Sequence, residues 1–111
     1  MWLFCEAGFF SVVHKDCQDD ELMVRARAAE DLDALRRRCP GLGPTMHTPH
    51  GDYHYRALVK RAHLAETMAA LVDGIDYGIF KAHVHGADAA RMSAYYRVWS
   101  AMADWQARRE R

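Results

Sequence analysis

The sequence is poor in the features that mark specialised classes of protein. Its three cysteines, Cys5, Cys17 and Cys39, are odd in number and share no C-x-x-C spacing. That excludes a framework of fully paired internal disulfides and the usual structural zinc patterns, and free thiols in a reducing cytoplasm are expected. Its three prolines all fall between residues 40 and 49, so nothing elsewhere forces a break in regular structure. Charge of one sign is missing too: 15 basic residues meet 15 acidic ones, a formal net charge of zero. A histone-like or polybasic-tail mode of nucleic-acid binding is thereby excluded, while a basic patch on one face is not. No apolar run approaches the roughly 20 residues needed to span a bilayer. The opening MWLFCEAGFFSVV has no basic leader, is interrupted by Glu6 and is followed by no small-residue cleavage site, so it does not read as a signal peptide. Internal repeats and low-complexity tracts are absent.

What is present suits one domain spanning residues 1–111, half of it hydrophobic. Residues 9–15, FFSVVHK, are aromatic and β-branched and read as a strand, with Trp2–Cys5 as a short extension broken near Gly8. Leu22, Val24 and Ala26 alternate with Met23, Arg25 and Arg27, the period of a half-buried strand that pairs with the first in a hairpin. The period then changes. Leu32, Leu35 and Cys39 share one face of a helix over 29–39, with acidic residues in its first turn, Arg36, Arg37 and Arg38 in its last, and Pro40-Gly41 as its stop. Residues 40–52 read as loop with one short strand around Thr45–Thr48. Tyr53–Lys60 alternates again, placing Tyr53, Tyr55, Ala57 and Val59 on one face and His54, Arg56, Leu58 and Lys60 on the other.

The remainder is helical. Leu64, Met68, Leu71 and Val72 form an apolar face ending at Asp73-Gly74; Tyr77–His85 carries Phe80 and Val84 inward; Asp88 caps a long last helix. Met92, Tyr95, Trp99, Met102 and Trp105 or Gln106 make a near-heptad stripe on that helix, expected to lie in the core because a small domain needs its large aromatics. The fold expected is α+β: a two-layer sandwich with an antiparallel sheet, ferredoxin-like or permuted, helices on one face and a helical C-terminal half.

If helices cover the face bearing Leu22, Val24, Tyr53, Tyr55 and Val59, the other presents Arg25, Arg27, His54, Arg56 and Lys60, with Phe9 as an aromatic platform. Guanidinium groups and aromatics on an open sheet suit phosphates and stacked bases. Seven histidines are many for this length. His47, His50 and His54 near Asp52 are the candidate metal ligands, but neither they nor His83 and His85 match a zinc spacing, so no metal or other cofactor is expected. Ser11 and Ser93 lack a nucleophile turn, GLGPT at 41–45 lacks the lysine of a phosphate loop, and no catalytic residue is assigned.

The segments MWLF, GFFSVV, LMVRAR, DLDALR, GPT, DYHYRALV, DYGIFK and YYRVW cover nearly the whole chain. In them the chain resembles a widespread family of small bacterial and phage-borne proteins with no assigned activity. The resemblance implies one α+β domain, carries over no catalytic residue, and directs attention to Arg25, Arg27, Tyr53, Tyr55, Arg56, Asp76, Tyr77, Phe80 and Lys81. The histidines at 47, 50, 54, 83 and 85 depart from it.

The leading expectation is a non-enzymatic binding module acting through the basic sheet face or the 39–52 loop on a protein or nucleic acid. A phage-type inhibitor of a host nucleic-acid machine, anti-CRISPR-like, fits the size and the kind of family. The alternatives are a metal-dependent hydrolase or nuclease built on the histidine-rich loop, and a structural homo-oligomer, at its simplest a homodimer, using Trp99, Met102 and Trp105. A cytoplasmic protein without membrane contact is expected throughout.

Overall fold

A computed structural model describes residues 1–76, 84 and 88–111. Its strands are β1 (Trp2–Cys5), β2 (Gly8–Val13), β3 (Glu21–Ala26), β4 (Met46–His47) and β5 (Tyr55–Lys60), and its helices α1 (Ala29–Arg38), α2 (Arg61–Asp73) and α3 (Ala89–Arg109). Among the described residues they build an antiparallel five-stranded sheet in the order β1-β2-β3-β5-β4. The α+β antiparallel architecture is the one its periodicities predict. Three strands precede the first helix, so the connectivity is not the βαββαβ of a ferredoxin-like fold, and the strand order is a rearranged one.

Trp2–Cys5 is a strand in its own right rather than an extension of the next. Gly8 takes φ 132°, a conformation closed to other residues, and turns the chain back so that Cys5 pairs with Gly8 and Trp2 with Ser11. The segment Tyr77–His85, read above as a helix, and with it Phe80, Lys81, His83, His85 and Gly86, lies outside the described residues except for Val84, which is buried.

One face of the sheet is the core. Phe10, Val12, Val24, Ala26, Ala57 and Val59 point into it, flanked by Leu3, Leu22 and Tyr55. Leu32 and Leu35 of α1 and Leu64 and Met68 of α2 close it from above. Lys60 leads directly into Arg61, and the first turn of α2 has no side-chain cap; the Arg61 N–H donates instead to the Asp20 carbonyl at 2.7 Å. Arg36 ties the following loop to α1, donating to the Gly43 carbonyl at 2.7 Å and the Thr45 hydroxyl at 2.9 Å. Leu42 and Cys39 are buried beneath that loop.

Asp31 is not the solvated helix-start carboxylate that its place in an acidic first turn suggests. It is 2% exposed. Its Oδ2 accepts from the Phe9 N–H at 3.1 Å, and its two oxygens take a two-pronged grip from Arg91 at 2.6 and 3.0 Å. The carboxylate thus joins α1, the β1–β2 turn and α3. That hydrogen-bonded partner is the main reason the Arg91 guanidinium holds its proton even more firmly than usual, despite partial burial. Asp88 caps α3 as expected, accepting from the Arg91 N–H at 2.8 Å.

The stripe on α3 departs from expectation. Tyr95 is buried, setting its ring edge against Phe4 at 5.2 Å, and Met92 is half-buried. Beyond them Trp99, Met102 and Trp105 are 60, 57 and 50% exposed, so they are not core. Among the described residues only the first turns of the helix rest on the domain, and the rest overhangs it. This lengthens the molecule to 45 Å and raises its radius of gyration to 15.1 Å, against about 13 Å for a compact domain of this size. Among the described residues no helix is long and apolar enough to cross a membrane.

Candidate nucleic-acid interface

The second face of the sheet is organised in rows by the strand register. Trp2 pairs with Ser11, Ser11 with Arg25, Arg25 with Arg56, and Arg56 with Met46. Because the side-chain period of a strand is two, these five residues form one band across all five strands, about 19 Å long at the usual strand spacing. On one side of the band lies an apolar row, Val13, Met23 and Leu58. On the other, Phe4 stacks on Phe9 with centroids 4.4 Å apart, and Trp2 meets Phe9 edge-on at 5.8 Å. Trp2 is 68% exposed.

Tyr53 belongs to this face, not to the core face where alternation through Tyr53–Lys60 puts it. The strand begins only at Tyr55, and residues 51–54 bend, so the period of two does not reach back to Tyr53. The buried Tyr53 ring lies 6.4 Å from Phe9. The guanidinium groups of Arg25 and Arg27 sit over it at 4.6 and 4.2 Å from its centroid, within cation–π range.

The five basic residues foreseen on this face are not equivalent. Lys60 is paired with Asp20 at 2.9 Å. The hydrogen bond it donates lowers the Asp20 carboxyl below its ordinary range and raises its own ammonium. Arg56 reaches the Asp52 carboxylate at 3.4 Å and the Thr48 hydroxyl at 3.2 Å. His54 precedes the strand and is exposed beside Tyr55. Arg25 donates to the Ser11 hydroxyl at 2.7 Å, while its Nε is buried without a partner. Arg27 donates to the Asp52 carbonyl at 2.7 Å. Among the described residues, Arg25 and Arg27 have no carboxylate partner.

Arg25 and Arg56 also stand directly opposite one another on β3 and β5. Like charges in that position repel and weaken a sheet. Among the described residues only Arg56 of the two meets a carboxylate, so there the middle of the sheet carries an uncompensated positive charge next to a row of aromatic rings.

The histidine-rich loop is arranged differently. His47, on β4, stacks on Tyr55 at 5.2 Å, and His50 is exposed at a turn closed by the Gly51 N–H donating to the Thr48 carbonyl. Among the described residues no group of three or more His, Cys, Asp and Glu side chains could hold a metal ion, so His47, His50 and His54 are not brought together as a ligand set.

Two features of the face escaped the sequence reading. In the sequence Trp2 reads as part of a short extension broken near Gly8, although its alternation with Leu3, Phe4 and Cys5 is the available signal. Tyr53 was assigned to the wrong side. Comparison with protein families, with curated proteins and with solved structures finds no match to this chain.

Proposed function

We propose that the protein is a non-enzymatic binding module whose open sheet face takes up single-stranded nucleic acid. The observation that carries this reading is the pair Arg25 and Arg27, two guanidinium groups held over Tyr53 without a carboxylate partner among the described residues, beside the rings of Trp2, Phe4 and Phe9. Aromatic faces stack bases with little regard to sequence, and fixed guanidinium groups grip phosphates through several donors at once. A band about 19 Å long across the strands has room for a short stretch of nucleotides. Repulsion between Arg25 and Arg56 is what a bound phosphate would relieve. The zero net charge fits a module that binds through one local patch and not through a general basic surface.

The test is fluorescence anisotropy of labelled single-stranded 12-mers of deoxythymidine and uridine, titrated with protein between 50 and 200 mM salt. The expected result is saturable binding that weakens with salt. The double variant R25A/R27A should bind at least tenfold more weakly, with a salt slope smaller by about two phosphate contacts. Trp2→Ala should weaken binding and leave the slope unchanged. Absence of binding at 50 mM salt, or equal binding by R25A/R27A, would sink the proposal.

A further inference from the structure

Among the described residues nothing covers the overhanging part of α3, and its geometry restricts what its occupant can be. At 100° per residue, Tyr95, Trp99, Met102 and Gln106 fall on one side of the helix, with Val98 and Trp105 on one flank and Tyr96 and Ala103 on the other. Tyr96, Trp99, Met102 and Trp105 are all at least half exposed, and Val98 is exposed too. The charged Arg97 and Asp104 lie on the far side, roughly 140–200° around from the centre of the seam. The seam from Tyr96 to Gln106 bears apolar side chains and one amide, and at its far end the Arg109 guanidinium lies over the Trp105 ring, 5.1 Å from its centroid.

The same side of α3 that bears Trp99 and Met102 carries Tyr95, which is buried on the domain against Phe4. The domain consequently stands on the seam side at the start of the helix. A flat surface such as a bilayer would meet the domain before it met Trp99 and Trp105. A second helix, about 10 Å across, fits beside the overhang, which runs roughly 20 Å from Tyr96 to Arg109.

We propose that this seam pairs with the same seam of a second copy, antiparallel, about a two-fold axis beside Met102. Each Met102 then faces its own counterpart, and each Trp99 lies against Trp105 of the other copy. Antiparallel pairing sends the two domains to opposite ends of the helix pair, whereas a parallel pair would bring them into collision at the same end. Met92, Tyr95, Trp99, Met102 and Gln106 keep the 3-4 spacing of a helix-pairing seam. Taking about 200 Å² for a large aromatic, the exposed fractions of the five seam residues amount to roughly 500 Å² per copy. Two copies together would cover about 1,000 Å², the lower bound for a specific interface. This pairing is independent of the nucleic-acid reading, because α3 reaches that face where Tyr95 meets Phe4, and the seam beyond Tyr95 is exposed.

The experiment is sedimentation velocity of the whole chain between about 5 and 200 μM, with Met102→Glu and Trp99→Ala alongside, and circular dichroism to follow folding. The wild type should reach twice the 12.7 kDa chain mass, and both variants should sediment as folded monomers with the parent spectrum. A wild type monomeric at 200 μM overturns the proposal, as does a dimer that persists in Met102→Glu. Two variants that both unfold also overturn it, since that would put the seam in the core. A monomer that co-floats with phosphatidylserine-containing vesicles would assign the seam to a lipid surface and overturn it likewise.

Discussion

Removing either partner of the Asp31–Arg91 pair should destabilise the protein far more than removing an ordinary surface ion pair, and removing both should cost less than the sum. The Asp31 side chain is 3% exposed and that of Arg91 15%, and three hydrogen bonds of 2.6 to 3.1 Å converge on the carboxylate. Asp31→Ala takes the carboxylate from a half-buried guanidinium, which keeps the Tyr95 hydroxyl at 3.1 Å, and orphans the Phe9 N–H. Arg91→Ala takes both prongs of the guanidinium grip away from a buried carboxylate. Breaking a buried pair from one side costs about 3–5 kcal/mol, against about 0–1 kcal/mol for an exposed one. For a domain of this length about 4 °C of Tm accompanies each kcal/mol, so each single variant should melt about 12–20 °C below the parent. In the double variant neither charge is left alone, and a coupling energy of about 2–3 kcal/mol is expected. Urea unfolding of the four proteins followed by circular dichroism at pH 7 measures the cycle. A coupling below about 0.5 kcal/mol would refute the reasoning, because the two groups would then not share a buried contact and α3 would not be held by Asp31.

Gly8→Ala should lose more than about 2 kcal/mol, since a Cβ there would strike the Asp31 carboxylate and the backbone stands at φ 132°; a Tm within 2 °C of the parent would contradict that geometry. Leu35→Ala, wholly within the core, is expected to cost about 2–5 kcal/mol in the same urea assay. Arg25→Leu removes one side of a like-charge pair and a buried unpartnered Nε, so its stability should stay within about 1 kcal/mol of the parent while oligonucleotide binding falls. Burial raises the Cys5 thiol above its ordinary 9.0 and the Tyr95 phenol above its ordinary 10.0. The folded state therefore keeps protons that the unfolded chain gives up, and the stability these groups contribute is full below pH 9 and falls as pH rises above it. Urea midpoints measured from pH 8 to 11 should decline, and Cys5→Ala should flatten the part of the decline just above pH 9.

The organisation of the chain into strands and helices was legible in the residues because each element is amphipathic with its own period. Leu22, Val24 and Ala26 declare a period of two, and Leu32 and Leu35 a helical spacing, whatever they pack against. The basic face was legible for the same reason, since Arg25 and Arg56 alternate with core residues along half-buried strands. Periodicity loses its authority at element ends. Tyr53 stands two residues before its strand begins, and the bend between them turns its ring toward Arg25 and Arg27. Asp31 shows a different limit. Its position four residues before Leu35 put it on the apolar side of α1, yet its charge and its place in the first turn argued for solvent. What decided the matter was Arg91, 60 residues away.

The residues by themselves determine the α+β class, the antiparallel pairing of neighbouring strands and which strand positions carry charge, because these follow from local pattern and short connections. Tertiary structure alone decides which of those charges remain available, since the carboxylates that neutralise Lys60 and Arg56 arrive from the turn at Asp20 and the loop at Asp52. It also decides that the aromatic stripe of α3 overhangs the domain. A stripe of apolar residues states only that something should cover it; whether the domain itself reaches far enough to do so depends on where the helix is anchored, and Arg91 and Tyr95 anchor it near its start.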